Sequence, residues 1–68
     1  MTAAEIREAR KQLGLTQVAL GRLLSRDEFT VRRWETGMSP VDPVVALLLQ
    51  LAIDLPAVRL RLGLTGRD

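Results

Sequence analysis

The chain contains no cysteine and no histidine. Without cysteine, neither a disulfide nor a thiolate metal site can staple it. Without histidine, zinc would find only carboxylates, a poor donor set for a structural site. The same two absences remove the commonest general base and the strongest side-chain nucleophile. There is no glycine-rich phosphate loop and no paired-carboxylate signature. An enzyme is therefore not expected, nor a metal or cofactor. Aromatic residues are nearly absent: Phe29 and Trp34 are the whole set. The core must be aliphatic, which suits helices better than sheets because little aromatic or β-branched material is available to pair across strands. The longest apolar run, 44–53, falls far short of the roughly 20 residues that span a bilayer. The first residues lack the basic-then-apolar order of a signal peptide. Together with the missing cysteine, this makes the cytoplasm the expected compartment.

What is present fits one small domain. Sixty-eight residues leave no room for a second. A chain of this size buries only about 60% of its unfolded surface. Stability must then come from well-formed helix packing and from oligomerisation. The net charge is +2, from ten basic and eight acidic side chains, too mild to imply nucleic acid by itself. Nine of the ten bases are arginine, the residue whose forked donors match phosphates and guanines, so their placement decides.

Five helices can be read along the chain. The first is predicted over 3–13, with Thr2 as N-cap and Glu5 completing a capping box. Ile6, Ala9 and Leu13 share one face, and Gly14 ends it. Thr16 caps a second helix over 17–24, whose apolar face is Leu20, Leu23 and Leu24. Ser25 and Arg26 form the turn. Asp27 caps a third helix over 28–35, with Val31 and Trp34 pointing inward and Gly37 as its stop. Asp42 followed by Pro43 starts a fourth helix over 43–53, apolar on almost every side except at Gln50. A surface helix should show one polar face, so this one is either central or meets another chain. Pro56 starts a short fifth helix over 56–62, with Val58 and Leu62 on one side and Arg59 outward. The domain is assigned to 1–64 and a frayed tail to 65–68.

The spacing over 15–37 is that of a helix-turn-helix: a short helix, a tight turn, and a second helix carrying two arginines. The residues Leu13, Gly14, Leu15, Thr16 and Gln17, the small residue Gly21, Leu24, and the run Val31, Arg32, Arg33, Trp34, Glu35, Thr36, Gly37 resemble the phage-repressor (XRE or Cro-type) helix-turn-helix family. The likeness covers Ile6 to about Leu51. It implies an all-α, compact five-helix bundle with the motif in helices 2 and 3, and a small transcriptional regulator, a repressor, gripping a palindromic operator on double-stranded DNA as a homodimer. Two positions depart from the family's pattern, which has alanine at Gly21 and glycine at Ser25. The first costs helix 2 roughly 0.5–1 kcal/mol of propensity. The second costs on the order of 1 kcal/mol if Ser25 is left-handed.

By position the third helix is the recognition helix, which docks with its N-terminal end to the bases. Its outward residues are Glu28, Phe29, Arg32 and Arg33. Arg33 lies one turn after Phe29 and is the first choice for a base reader, since arginine bidentate to guanine is the commonest specific contact; otherwise it is solvated or paired with a carboxylate. Phe29 either meets a thymine methyl or packs against helix 2. Glu28 either accepts from a cytosine amino group or favours the helix N-terminus as a carboxylate. Arg32 suits a base or a phosphate, and Arg26 in the turn a phosphate. The resemblance implies that Gln17, next to the cap Thr16, clamps a phosphate with help from the helix amides. Thr36 and Ser39 are weaker phosphate candidates, and Lys11 is a solvated base. The resemblance also implies that Arg10 and Glu35 pair between helix 1 and the end of helix 3, making Glu35 structural.

The rival from another class is a protein-interaction module. Helices 4 and 5 carry more aliphatic surface than a small monomer needs. Homodimerisation is the favoured use of it, with Leu55, Val58 and Leu62 as the candidate interface. The alternative is a module that binds another regulator or a toxin through helices 4 and 5, in the latter case an antitoxin that can still repress its own operon.

Overall fold

The computed structural model describes residues 1–64, and the tail assigned to 65–68 lies outside the described residues. Among the described residues the chain is all-α: α1 (Ala3–Gln12), α2 (Gln17–Leu23), α3 (Glu28–Thr36), α4 (Pro43–Asp54) and α5 (Pro56–Arg61). Each boundary falls within a residue of the sequence expectation. No helix among them is long and apolar enough to cross a membrane.

Local chemistry sets these boundaries. Thr2 accepts from the Glu5 amide while Glu5 Oε1 accepts from the Thr2 amide, a complete capping box. Thr16 Oγ1 accepts from the Ala19 amide at 3.0 Å. Asp27 Oδ1 accepts from the Thr30 amide at 2.8 Å and from its hydroxyl at 2.9 Å. Asp42 Oδ1 accepts from the Val44 amide, with Pro43 in the first helical position. α3 stops where Gly37 turns left-handed at φ 82°.

Helical periodicity then gathers one core. Ile6, Ala9 and Leu13 from the first helix and its cap meet Leu20 from α2, Val31 and Trp34 from α3, and Val45, Leu49 and Ala52 from α4. α2 packs on α3, α1 packs on both α3 and α4, and α5 packs on α4. The fourth helix is central through Val45, Leu49 and Ala52, yet it exposes Val44, Leu47 and Leu51. The first reading of its all-round apolarity, a central helix, therefore holds for the face of Val45, Leu49 and Ala52.

α5 differs from expectation in two ways. Val58 and Leu62 pack, half-buried, against the core; of the three interface candidates only Leu55 is exposed. A six-residue helix lying on α4 has to turn its apolar side inward, because that side is all it has to attach with. Arg59 is also not an outward residue. Its Nη1 donates to the carbonyls of Ala52 and Ile53, both at 2.8 Å. These belong to the last turn of α4, whose carbonyls have no partner within the helix. A cation there also suits the negative end of the helix dipole.

The α2–α3 turn is tight. Ser25 is, among the described residues, the non-glycine residue with positive φ, at 57°, so the left-handed conformation in question is adopted. The Arg26 amide donates back to Gly21 O at 2.8 Å. A Cβ on Gly21 would lie 2.8 Å from Arg26 O and 3.3 Å from the Asp27 carbonyl carbon. The glycine is thus required by the close approach of the turn, and its propensity cost is not simply a defect of α2.

Candidate nucleic-acid interface

α3 divides cleanly into two faces. Val31 and Trp34 are buried, which leaves Phe29, Arg32, Arg33 and Thr36 exposed on the other side. The Phe29 ring does not pack against α2: it is 61% exposed, and it carries the Arg32 guanidinium over its face at 5.3 Å. Arg32 Nη2 also donates to Glu28 Oε2 at 2.9 Å. The acidic partner precedes the basic one by four residues, the favourable order on a helix. Glu28, Phe29 and Arg32 thus form one linked group at the start of α3.

Arg33 differs from Arg32. It is exposed and its guanidinium makes no ion pair or hydrogen bond among the described residues. It stands one turn after Phe29 and adds a weak field at Asp27, whose carboxyl the Thr30 amide and hydroxyl already hold below the usual range.

The helix that presents these groups is braced from behind. Arg10 Nε donates to Glu35 Oε2 at 2.6 Å and Arg10 Nη2 to Glu35 Oε1 at 3.1 Å. A third donor, Nη1, reaches Leu15 O at 3.0 Å. The two side chains are 14% and 5% exposed, so water screens them little. Burial alone would raise the Glu35 pKa, but the hydrogen bonds from Arg10 and Gln17 and the charges of Arg10 and Arg7 outweigh it and lower it. The pair ties α1 and the α1–α2 loop to the last turn of α3, as the resemblance implies.

Gln17 belongs to this brace. Its Nε2 donates to Glu35 Oε1 at 3.1 Å, which sets the start of α2 against the end of α3. One amide N–H is thereby engaged, and a phosphate at this position would use the other. Thr16 is exposed, with its hydroxyl acting as the cap. Thr36 is exposed and donates to Arg33 O at 3.3 Å, while Ser39 is half-buried.

Arg26 is tethered as well. Its Nη2 meets Asp42 Oδ2 at 3.1 Å, and its guanidinium lies 5.9 Å from the Trp34 ring centre. Asp42 therefore caps α4 with one oxygen and holds the α2–α3 turn with the other. The Val44 amide, and then Arg26, keep its pKa below the usual value. A phosphate would have to compete with this carboxylate for Arg26. Arg22, exposed on α2 and unpaired among the described residues, is a further cation that the sequence reading did not single out, since nothing local distinguishes it from a solvated arginine.

The site therefore unites Gln17, Glu35 and Arg10 in a structural brace, and Glu28, Phe29 and Arg32 in a surface group. Arg26 is joined to α4, and Arg33 has no partner among the described residues. No family model matches the chain, and neither does a curated protein or a solved structure.

Proposed function

We propose that the chain is a sequence-specific, double-stranded DNA-binding transcriptional regulator of the helix-turn-helix type, with α3 as the recognition helix. The observation that carries this reading is Arg33: an exposed arginine without a partner among the described residues, one turn after an exposed phenylalanine, on a helix locked from behind by a part-buried ion pair. Rigid presentation is what a base-reading side chain needs, because a bidentate contact to guanine tolerates little misalignment. Phe29, its ring shelved by Arg32, offers an apolar surface for a thymine methyl. Glu28 and Arg32 neutralise each other and serve orientation more than attraction. Gln17, Thr16, Arg26, Thr36 and Ser39 are the phosphate contacts of this reading, and phosphates position the protein without specifying sequence.

The exposed aliphatic side chains Val44, Leu51 and Leu55 favour a homodimer, which would place two copies of α3 on half-sites about 34–36 Å apart. The same surface would serve an antitoxin covering a toxin, the second reading. Repression follows in this proposal from steric occupation of an operator.

Selection from a pool of randomised duplexes tests the reading. Wild-type protein is expected to enrich a motif with dyad symmetry containing a guanine. Arg33→Ala is expected to lose preference at that guanine while keeping weak, salt-sensitive binding. No enriched motif, or the same motif from Arg33→Ala, would overturn the docking.

A further inference from the structure

Asp42 engages both of its oxygens, and only one is needed to start α4. Oδ1 accepts from the Val44 amide at 2.9 Å and caps the helix. Oδ2 accepts from Arg26 Nη2 at 3.1 Å, across 16 residues of sequence. The α2–α3 turn does not need this second contact, because the Arg26 amide already closes it on Gly21 O at 2.8 Å. Solvent reaches both side chains, 41% exposed in Arg26 and 35% in Asp42, and a pair so placed adds little stability. The Glu28–Arg32 pair has a local reason, its i to i+4 spacing on one helix. The Arg26–Asp42 pair has no such local reason.

Arg26 directly precedes Asp27, the N-cap of α3. A recognition helix enters the groove by its N-terminal end, so the residue before its cap stands at the groove's edge, where the phosphates run. Asp42 brings a negative charge to the same point. The Val44 amide and Arg26 hold its carboxyl below the usual range, so it is ionised at neutral pH. A carboxylate oxygen on a guanidinium makes the same kind of charged hydrogen bond that a phosphate oxygen makes. We propose, on the DNA-binding reading above, that Asp42 is an internal stand-in for a DNA phosphate: it occupies Arg26 in the free protein, and a backbone phosphate must displace it on docking. Asp42 thereby lowers affinity for every duplex alike, since phosphate contacts carry no sequence information. Asp42→Asn keeps the cap, because asparagine is an equally good N-cap, and leaves Arg26 without its carboxylate.

The test is a cycle of four proteins: wild type, Asp42→Asn, Arg26→Gln and the double variant. Each is titrated onto a duplex carrying the selected motif and onto a scrambled duplex at about 150 mM salt, with melting curves to check folding. Asp42→Ser, another uncharged cap, repeats the measurement should Asp42→Asn fold poorly. Asp42→Asn is expected to bind both duplexes about three- to tenfold more tightly, roughly the worth of one phosphate contact, with their ratio unchanged. In the Arg26→Gln background the same substitution is expected to change affinity by less than about twofold. In the wild type, ¹³C NMR is expected to show the Asp42 carboxyl carbon moving, as duplex is added, toward its position in duplex-free Arg26→Gln. An equal gain with and without Arg26, no gain at all, or a carboxyl carbon that duplex leaves unmoved would each overturn the assignment while duplex binding itself stands. No binding of either duplex by any of the four proteins would overturn the DNA-binding reading as well.

Discussion

Arg10 and Glu35 stand 25 residues apart in sequence and are joined by two hydrogen bonds of 2.6 and 3.1 Å. Gln17 approaches the same carboxylate from α2 at 3.1 Å. One carboxylate thus holds three helices in register, and the exposed face of α3 owes its orientation to it.

Removing one partner should therefore cost more than an exposed ion pair is worth. Arg10→Ala leaves the part-buried Glu35 poorly paired, and about 3–5 kcal/mol is the upper range, reached when such a charge is fully buried. A loss at or below the lower end is expected, because Gln17 still donates. Replacing Arg10 and Glu35 together with methionine is expected to recover most of it. Urea denaturation of the single and double variants measures both.

The same pair makes the fold sensitive to acid. The folded pKa of Glu35 is lowered from its ordinary value of 4.5, and those of Asp27 and Asp42 are lowered from 3.8. A carboxylate with a depressed pKa binds fewer protons when folded than when unfolded. Its contribution is therefore full above the ordinary value and is lost as pH falls through the folded one. The urea midpoint is expected to be level near neutrality and to fall progressively below about pH 4.5. A midpoint that rises on acidification would contradict this.

At the α2–α3 turn, helix propensity and packing oppose each other. Gly21→Ala improves propensity by roughly 0.5–1 kcal/mol, but its Cβ would sit 2.8 Å from Arg26 O, and overpacking of this kind costs about 1–3 kcal/mol. A net loss of about 1 kcal/mol is expected. Ser25→Gly relieves a left-handed serine at some entropic cost in the unfolded chain, so a gain of less than about 1 kcal/mol is expected. Thermal melts of the two variants should move in opposite directions.

Much of this was legible in the sequence because it is local. The caps Thr2, Thr16, Asp27 and Asp42 act within three residues of themselves, and Gly37 ends α3 by its own backbone conformation. The inward pairs Ile6 with Ala9 and Val31 with Trp34 follow from helical spacing. What was not legible depends on partners distant in sequence or space. Arg59 reads as a solvated arginine until α5 folds back under the end of α4. Val58 and Leu62 read as an interface until α5 proves to have no other side with which to hold on. Asp42 reads as a cap, and only the folded turn shows that it also takes Arg26. The Glu28, Phe29 and Arg32 group is spaced for contact on one helix, but each residue alone has an adequate role elsewhere.

The corrected view of α5 separates stability from association. Val58→Ala is expected to lower stability by about 1 kcal/mol through lost packing without changing the oligomeric state of the folded protein. Arg59→Ala is expected to cost about 1–3 kcal/mol by leaving the last carbonyls of α4 without their charged donor. Leu51→Lys with Leu55→Lys, both at exposed positions, is expected to abolish the proposed homodimer while leaving the melting curve of the monomer nearly unchanged. Sedimentation velocity and calorimetry distinguish these outcomes.

The most direct test of the central claim compares two labelled duplexes at about 150 mM salt, one carrying the motif enriched by selection and the other its scrambled sequence. The motif is expected to bind at least roughly 10³-fold more tightly, with most of that ratio lost in Arg33→Ala. Equal affinity for both duplexes, falling together as salt rises, would contradict it.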